Sequence, residues 1–176
     1  MTVLAPRTLD EVTNGLGVRD GFVLSPWRER WAEVLAAAWA DPEIARWNPV
    51  PPEPTVAYAA SWIRGSASQN EASIGIDVVI VDEATSAPAG EIGLQVDPAQ
   101  GIAEVGFWLA AAFRGRGVGA TLLAFAEDLA EALELAGLVA LVDPDNSAAI
   151  GLCQSKGWPE LPTKSDRRAF AYRVIS

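Results

Sequence analysis

Phe113-Arg114-Gly115-Arg116-Gly117-Val118-Gly119-Ala120 is the stretch on which the reading of this 176-residue chain turns. It holds three glycines and two arginines, with no Ser, Thr, Asp or Asn. Before it, Ala103-Glu104-Val105-Gly106-Phe107-Trp108-Leu109 reads as a strand rich in aromatic and β-branched residues. After it, Leu122, Phe125, Ala126, Leu129 and Leu133 recur at three- and four-residue steps, the apolar stripe of an amphipathic helix. A strand therefore passes through a glycine turn into a helix whose first amides lack a capping side chain. An anion is a natural partner for such amides, because glycine allows close approach and the helix dipole favours negative charge. The turn is read as a phosphate cradle, with a flexible turn that binds nothing as the plain alternative.

Two other glycine-rich motifs compete. Gly115-Arg116-Gly117-Val118-Gly119-Ala120 also fits a loose dinucleotide fingerprint, G-x-G-x-x-A. That fold needs several further βα units, and the roughly sixty residues left are few for units of about thirty residues each. Its ribose-binding acid is also misplaced: the next acidic residue after a plausible strand is Asp143, beyond the roughly twenty-residue spacing required. A P-loop is excluded, since no Gly-Lys-Ser/Thr occurs.

Outward from the turn, the chain divides into short, well-punctuated elements. Residues 1–20 show no sustained periodicity and read as an extension before the domain, with at most one short strand. Gly21–Leu24 is the first strand, stopped at Ser25-Pro26. A helix is expected from Glu29 to Ala40, and a second from Asp41-Pro42 to Trp47, with Asp41 as cap and Pro42 in the first position. Asn48-Pro49-Val50-Pro51-Pro52-Glu53-Pro54 cannot continue a helix. Thr55 caps another to about Arg64, and Gly65–Ser73 reads as a polar connector. Strands follow at Ile74–Val81, Glu91–Val96 and Ala103–Leu109, with a turn back through Pro88. Beyond the central helix, which Gly137 is expected to end, come a buried strand Leu138–Val142, a helix Asn146–Lys156 and a last strand Arg167–Ile175. A mixed sheet with helices on both faces follows from this order.

Bulk properties narrow the function. The formal charge is −10, which disfavours nucleic acid and attracts cationic acceptors. Half of the residues are hydrophobic, enough for one domain with a proper core. A single cysteine, Cys153, cannot form an internal disulfide, which suits the cytoplasm. The first ten residues lack a signal-peptide stretch, and no run suits a membrane span. Seven tryptophans exceed the ordinary needs of such a core and point to a ligand cleft or an interface.

Arg114-x-x-Gly117-x-Gly119 matches the R/Q-x-x-G-x-G/A motif of the GCN5-related N-acetyltransferases, the GNAT family. Further blocks resemble its RimJ/RimL-like branch of ribosomal-protein N-terminal acetyltransferases, in the same order. They are Leu24-Ser25-Pro26-Trp27-Arg28, Asp41-Pro42-Glu43-Ile44-Ala45-Arg46-Trp47, Glu104-Val105-Gly106-Phe107-Trp108-Leu109, and Asp143-Pro144-Asp145-Asn146-Ser147 through Lys156-Gly157-Trp158. The resemblance covers roughly residues 20–176. It implies an α/β (α+β) GNAT fold: one domain over 21–176, with a mixed, mostly antiparallel sheet of six to seven strands. It implies acetyl-CoA as acyl donor, with no metal. The donor's pyrophosphate would lie on the amides of Arg114, Gly115, Arg116, Gly117, Val118, Gly119 and Ala120. Its pantetheine arm would run along Trp108 and Leu109, where the strand splays from its neighbour, with Asn146 orienting it. Arg114 and Arg116 either reach phosphate oxygens or stand solvated beside the loop. Trp47 and the proline loop would wall the acceptor cleft.

The chain has no histidine, so Ser-His-Asp and Cys-His nucleophiles are impossible. An amine must then attack the thioester directly. Glu104 is the candidate base, acting through water on the face it shares with Trp108, with Gly106 leaving room between them. A rim carboxylate bound to a basic neighbour is the alternative for Glu104, and Glu91 on the adjacent strand is the alternative base. Many relatives carry a proton-donating Tyr where this chain has Cys153, and RimJ/RimL-like relatives often carry Ser where it has Ala149, so the usual acids are missing.

Freeing a proton at neutral pH costs roughly 1 kcal/mol for an α-amine and about 4–5 for a lysine. The expected activity is therefore acetylation of a protein or peptide N-terminal α-amine by a monomer or homodimer. Two alternatives stand beside it: acetylation of a small cationic amine, and a non-catalytic acyl-CoA-binding module.

Overall fold

The computed structural model describes residues 8–72 and 75–173. Its centre is a seven-stranded sheet of β1 (Phe22–Pro26), β2 (Gly75–Asp82), β3 (Ala87–Asp97), β4 (Ile102–Leu109), β5 (Gly137–Val142), β6 (Glu160–Leu161) and β7 (Arg168–Arg173). The spatial order is β1-β2-β3-β4-β5-β7-β6. Every neighbouring pair is antiparallel except β4 and β5, which run parallel. A parallel pair needs a crossover, and α5 (Val118–Ala132) supplies it directly after the glycine turn. The other helices are α1 (Leu9–Gly15), α2 (Ala32–Ala40), α3 (Pro42–Trp47), α4 (Val56–Ala72) and α6 (Ser147–Ser155), with short 3-10 turns at Glu29–Trp31 and Ala111–Phe113.

Strand alternation sorts the side chains into two cores. Val78, Ile80, Ile92, Leu94, Ala103 and Val105 face α5 and meet Leu122, Phe125, Ala126 and Leu129. Val79, Val81 and Trp108 face the opposite way, onto Trp27, Trp31, Leu35, Trp39, Ala59 and Ile63. Each fully buried Leu, Ile or Phe contributes about 1.5–3 kcal/mol, so both layers are held by burial rather than by local propensity. Among the described residues no helix is long and apolar enough to cross a membrane.

Strand β1 runs through Ser25-Pro26, where the sequence reading stops it, β6 has no counterpart in that reading, and four further boundaries differ from it. Residues 9–15, read as irregular, form α1: Thr8 and Glu11 make a reciprocal capping box, and Val12 is buried in the larger core. Residues 65–72, read as a connector, continue α4. Gly65 costs about 1 kcal/mol in a helix, but Ile63 and Ser66 are buried on either side of it, and the Ser66 hydroxyl donates to Asp77 at 3.2 Å. The central helix stops at Ala132 rather than near Gly137, in a Schellman closure: Glu134 N–H donates to Glu131 and Leu135 N–H to Ala130. Glu134 itself takes the left-handed conformation, φ 57°. Gly137 instead opens β5, where a Cβ would come within 2.6 Å of the Tyr172 carbonyl. Pro88 lies inside β3, at a register shift opposite Ile80 and Val81, where a bulge spares it a ladder bond. The expected strand ends at Ile74 and Ile175, and the reading of residues 1–7, lie outside the described residues.

The tightest approach in the sheet is at Gly90. A Cβ there would fall 2.3 Å from the Trp108 carbonyl and 2.9 Å from Leu109 Cδ2. Gly90→Ala is expected to lose at least about 2 kcal/mol in urea unfolding, and wild-type stability would show that β3 and β4 do not close up as described.

Candidate active site

β4 and β5 are paired only from Ile102–Glu104 against Gly137–Val139. Beyond that point the two strands part, although β4 continues to Leu109 and β5 to Val142. A first cavity of about 380 Å³ fills the split. Val105–Leu109 line one side and Ala140–Asp143 the other, with Arg114, Gly115, Gly119, Asn146, Ala149 and Leu152 at the turn end.

The turn is shaped to receive an anion. Gly115 and Gly117 have φ of 68° and 80°, conformations that suit glycine. Gly117 is the N-cap of α5, and no side chain caps that helix. The backbone N–H groups of residues 115–119 have no hydrogen-bond partner among the described residues, while those of Arg114 and Ala120 bond to Ala111 and Gly117. The cradle is thus narrower at both ends than the expected 114–120 run. A Cβ added at Gly115 or Gly117 would meet nothing within 4 Å. Free amides at the start of a fifteen-residue helix, beside open space, fit a pyrophosphate.

The arginines do other work in this structure. Arg114 donates through Nε to the Leu109 carbonyl at 3.0 Å and pairs with Asp41 at 2.6 Å, tying the turn to the N-cap of α3. Burial pushes the Asp41 carboxyl up, but bonds from Arg114 and the Glu43 amide outweigh it and hold the group below its ordinary range. Arg116 donates to the Ala112 carbonyl at 3.1 Å and lies against the Phe113 ring. Asn146 lines the cavity and caps α6 through the Ala149 amide at 3.1 Å. Cys153 is fully buried, absent from the lining, and pushed up to about 11 by burial. No hydroxyl, thiol or ammonium side chain lines this cavity.

A second cavity of about 500 Å³ adjoins the first, against the sheet face that carries Glu91 and Trp108. Gly93 and Gly106 stand opposite each other across β3 and β4 and form a floor without side chains. Asp77 and Glu91 border it; Trp39, Tyr58, Trp62 and Asn48–Pro51 cover it. Trp39 meets Tyr58 and Trp62 edge-on at 5.9 and 5.6 Å. Gly106, Phe107 and Trp108 line both cavities, so the two meet at that segment of β4.

Glu91 sits opposite Trp108 and takes indole N–H bonds from Trp27 at 2.6 Å and Trp108 at 3.1 Å, one on each carboxylate oxygen. Burial, helped by the negative charge of Asp77, pushes it from 4.5 to about 8, while the two indole bonds pull it back. Asp77 is also raised by burial, with the Ser66 hydroxyl opposing. Glu104 lies elsewhere. It is half exposed, 3.9 Å from Arg167, at the last paired position before the split, and lines neither cavity. Trp47 lines the first cavity, its indole bonded to Glu43 at 2.8 Å, whereas the loop after it lines the second.

The sequence reading passed over Asp77, Trp39, Tyr58 and Trp62. Asp77 had a visible signal, as the one charge inside the apolar run Gly75–Val81. The aromatic residues had none beyond the tryptophan count, because their meeting depends on how α2 and α4 pack.

The raised carboxyls make stability depend on pH. Between about 4.5 and 8 the folded chain keeps a proton on Glu91 that the unfolded chain has released, so this contribution is full below 4.5 and lost as pH rises through 8. Glu91→Gln removes it. The variant's stability relative to wild type is expected to rise by about 4 kcal/mol between pH 5 and pH 8.5 in paired urea titrations. Parallel curves would place Glu91 in an ordinary aqueous setting.

The sequence of residues 22–158 matches the family model described as the acetyltransferase (GNAT) domain. No curated protein matches the sequence. Solved structures share the fold. Mycobacterium smegmatis RimJ in complex with CoA-disulfide superposes with a TM-score of 0.77 at 20% identity, covering 87% of this chain and 82% of that one. The ribosomal-protein-S5-alanine acetyltransferase of Vibrio fischeri gives 0.76 at 13% identity, covering 89% and 94%. The microcin C7 self-immunity acetyltransferase MccE, in complex with acetyl-CoA and AMP, gives 0.75 at 16%, covering 89% and 94%. With the domain match spanning most of its length, and a split sheet feeding an uncapped helix, this chain belongs to the GNAT acetyltransferase family and is an acetyl-CoA-dependent N-acetyltransferase.

Proposed function

We propose that the acceptor is the α-amine of a peptide or protein N-terminus, entering through the second cavity to meet the acyl donor at Gly106–Trp108. The observation that carries this reading is the junction itself: two adjoining cavities share Gly106–Trp108 of β4 with Ile44 and Asn48, and the Glu91 carboxyl lies beside that shared wall. Structural neighbours include ribosomal-protein acetyltransferases, which agrees with such an acceptor.

The amides of residues 115–119 would hold the pyrophosphate, and Asn146 and the free edge of Val105–Leu109 the arm. Acetyl-CoA supplies a thioester open to direct attack by an amine. Glu91 receives the ammonium proton. Titrating near 8, it matches an α-amine, also near 8; a lysine near 10.4 would leave the transfer uphill by about 3 kcal/mol. Asp77 beside Glu91 adds negative charge that draws the ammonium in. Cys153 takes no part as a nucleophile, since burial keeps it both protonated and out of reach. A second reading, a small cationic amine, draws on the same pair of carboxylates and on the resemblance to MccE.

Two tests separate the roles. Gly117→Glu puts a charge into the cradle, and Gly117→Ala imposes the same left-handed strain without it. Calorimetry is expected to show acetyl-CoA binding abolished in the first and weakened less than tenfold in the second. Equal loss in both would mean that strain, not charge, explains the effect, and unaltered affinity would put the donor elsewhere.

Glu91→Gln and Glu104→Gln are compared on an N-terminal peptide. Glu91→Gln should lose about a hundredfold at pH 7 and recover in part at pH 9, where free amine forms unaided. Glu104→Gln should stay within about threefold of wild type. The reverse pattern would make Glu104 the base. Intact-mass screening of peptide and small-amine pools decides between the two acceptors, and the absence of free thiol with every amine would leave only a binding module.

A further inference from the structure

The second cavity carries more information than a place for an amine. Among the described residues its ionisable lining groups are Asp77, Glu91 and the phenol of Tyr58, with no lysine or arginine. Around the two carboxyls stand a glycine floor, an aromatic cover and the apolar lip Pro49-Val50-Pro51, with Asn48 at its end and Ile44, Phe107 and Trp108 on the wall shared with the first cavity. The cover is built rather than incidental. Tyr58 and Trp62 are one helical turn apart on α4 and close edge-on around Trp39 of α2. Tyr58 is 51% exposed, so the aromatic wall runs from Glu91 out to the surface. Gly106 leaves open space where a side chain would stand, and at Gly93 a Cβ would come within 3.2 Å of Asp77 Oδ1.

Resting on the α-amine reading above, we propose that the cavity selects N-termini whose first residue is large and apolar or aromatic, and rejects those beginning with an acid. Three features of the cavity converge on this. The ammonium belongs at the carboxyl end, beside Glu91 and the junction with the donor cavity. The group on the amine-bearing carbon then faces the aromatic cover, because the glycine floor presents no side chain to meet it. A first residue of alanine or serine would leave that cover against water, whereas phenylalanine or leucine would bury apolar area on both partners. An aspartate in the same place would set a third carboxyl against Glu91 and Asp77 with no cation to offset it. A free amino acid meets the same repulsion through its own carboxylate, so the occupant is a peptide end or an amide.

The experiment measures kcat/KM by release of free coenzyme A thiol. Its acceptors are peptides alike except for a first residue of Phe, Leu, Ala, Ser or Asp, with wild type and Tyr58→Ala run side by side. Tyr58 is an exposed side chain of the cover, and the readout is a ratio between substrates, which a general loss of folded enzyme does not change. Phe and Leu are expected to exceed Ala and Ser at least tenfold, with Asp below all of them. The Phe-to-Ala ratio is expected to fall at least threefold in Tyr58→Ala. Equal or reversed preference at good turnover would overturn the selection while leaving the α-amine reading standing. A tenfold preference that Tyr58→Ala leaves unchanged would overturn the role given to this cover. No turnover with any peptide, alongside acetylation of a diamine or amino sugar in a parallel assay, would overturn both the selection and the α-amine reading beneath it.

Discussion

Adjacent parallel strands ordinarily stay bonded along their shared length, and here β4 and β5 do so for only three residue pairs. The rest of the molecule is arranged around that parting. Past Glu104, the facing edges of β4 and β5 no longer bond to each other, and such groups must find partners elsewhere. The crossover helix α5 begins beside the opening, so the free amides of residues 115–119 face the same space as the free strand edge. One break in the ladder thereby produces both a slot and the positive end that orients a donor within it.

On the face of β4 that carries Trp108 the same segment serves a different purpose. Gly93 and Gly106 replace two side chains of the sheet surface with a hollow, and the tryptophans of three separate segments close over or beside it. Burying a carboxyl in such a place is costly unless it is bonded or neutral. Glu91 meets both conditions in part: two indole N–H groups hold its oxygens, and its raised pKa keeps it largely protonated near neutrality until a cation arrives. The carboxyl is thus oriented before a substrate is present, which is what proton transfer to a fixed position requires.

How much of this could be read beforehand depended on whether the cause was local. The glycine turn, the uncapped helix, the Asp41-Pro42 start of α3 and the alternation of β3 and β4 are written in short windows, and the structure has them as expected. The Thr8–Glu11 box was equally local and was passed over because the segment lacks a long apolar period. Helix α4 running through Gly65 could not be read, since its cause is the burial of Ile63 and Ser66 beneath it. The pairing of Glu91 with Trp27 spans sixty-four positions in sequence and has no local trace. Glu104 was singled out by sharing a strand face with Trp108. Four positions along a strand is about 13 Å, enough to put it at the rim while Glu91, directly across from Trp108, borders the cavity.

The division of labour between the two cavities has a consequence for how the chain can change. Among the described residues only Ile44, Asn48, Gly106, Phe107 and Trp108 border both cavities. Trp39, Tyr58, Trp62 and Pro49–Pro51 border the second cavity and not the first, while Gly115, Gly119, Asn146 and Leu152 border the first and not the second. Substitutions in sets that share no partner combine additively in free energy. A lineage can therefore exchange the aromatic cover while inheriting the cavity at the glycine turn intact, with epistasis concentrated in the wall the two cavities share.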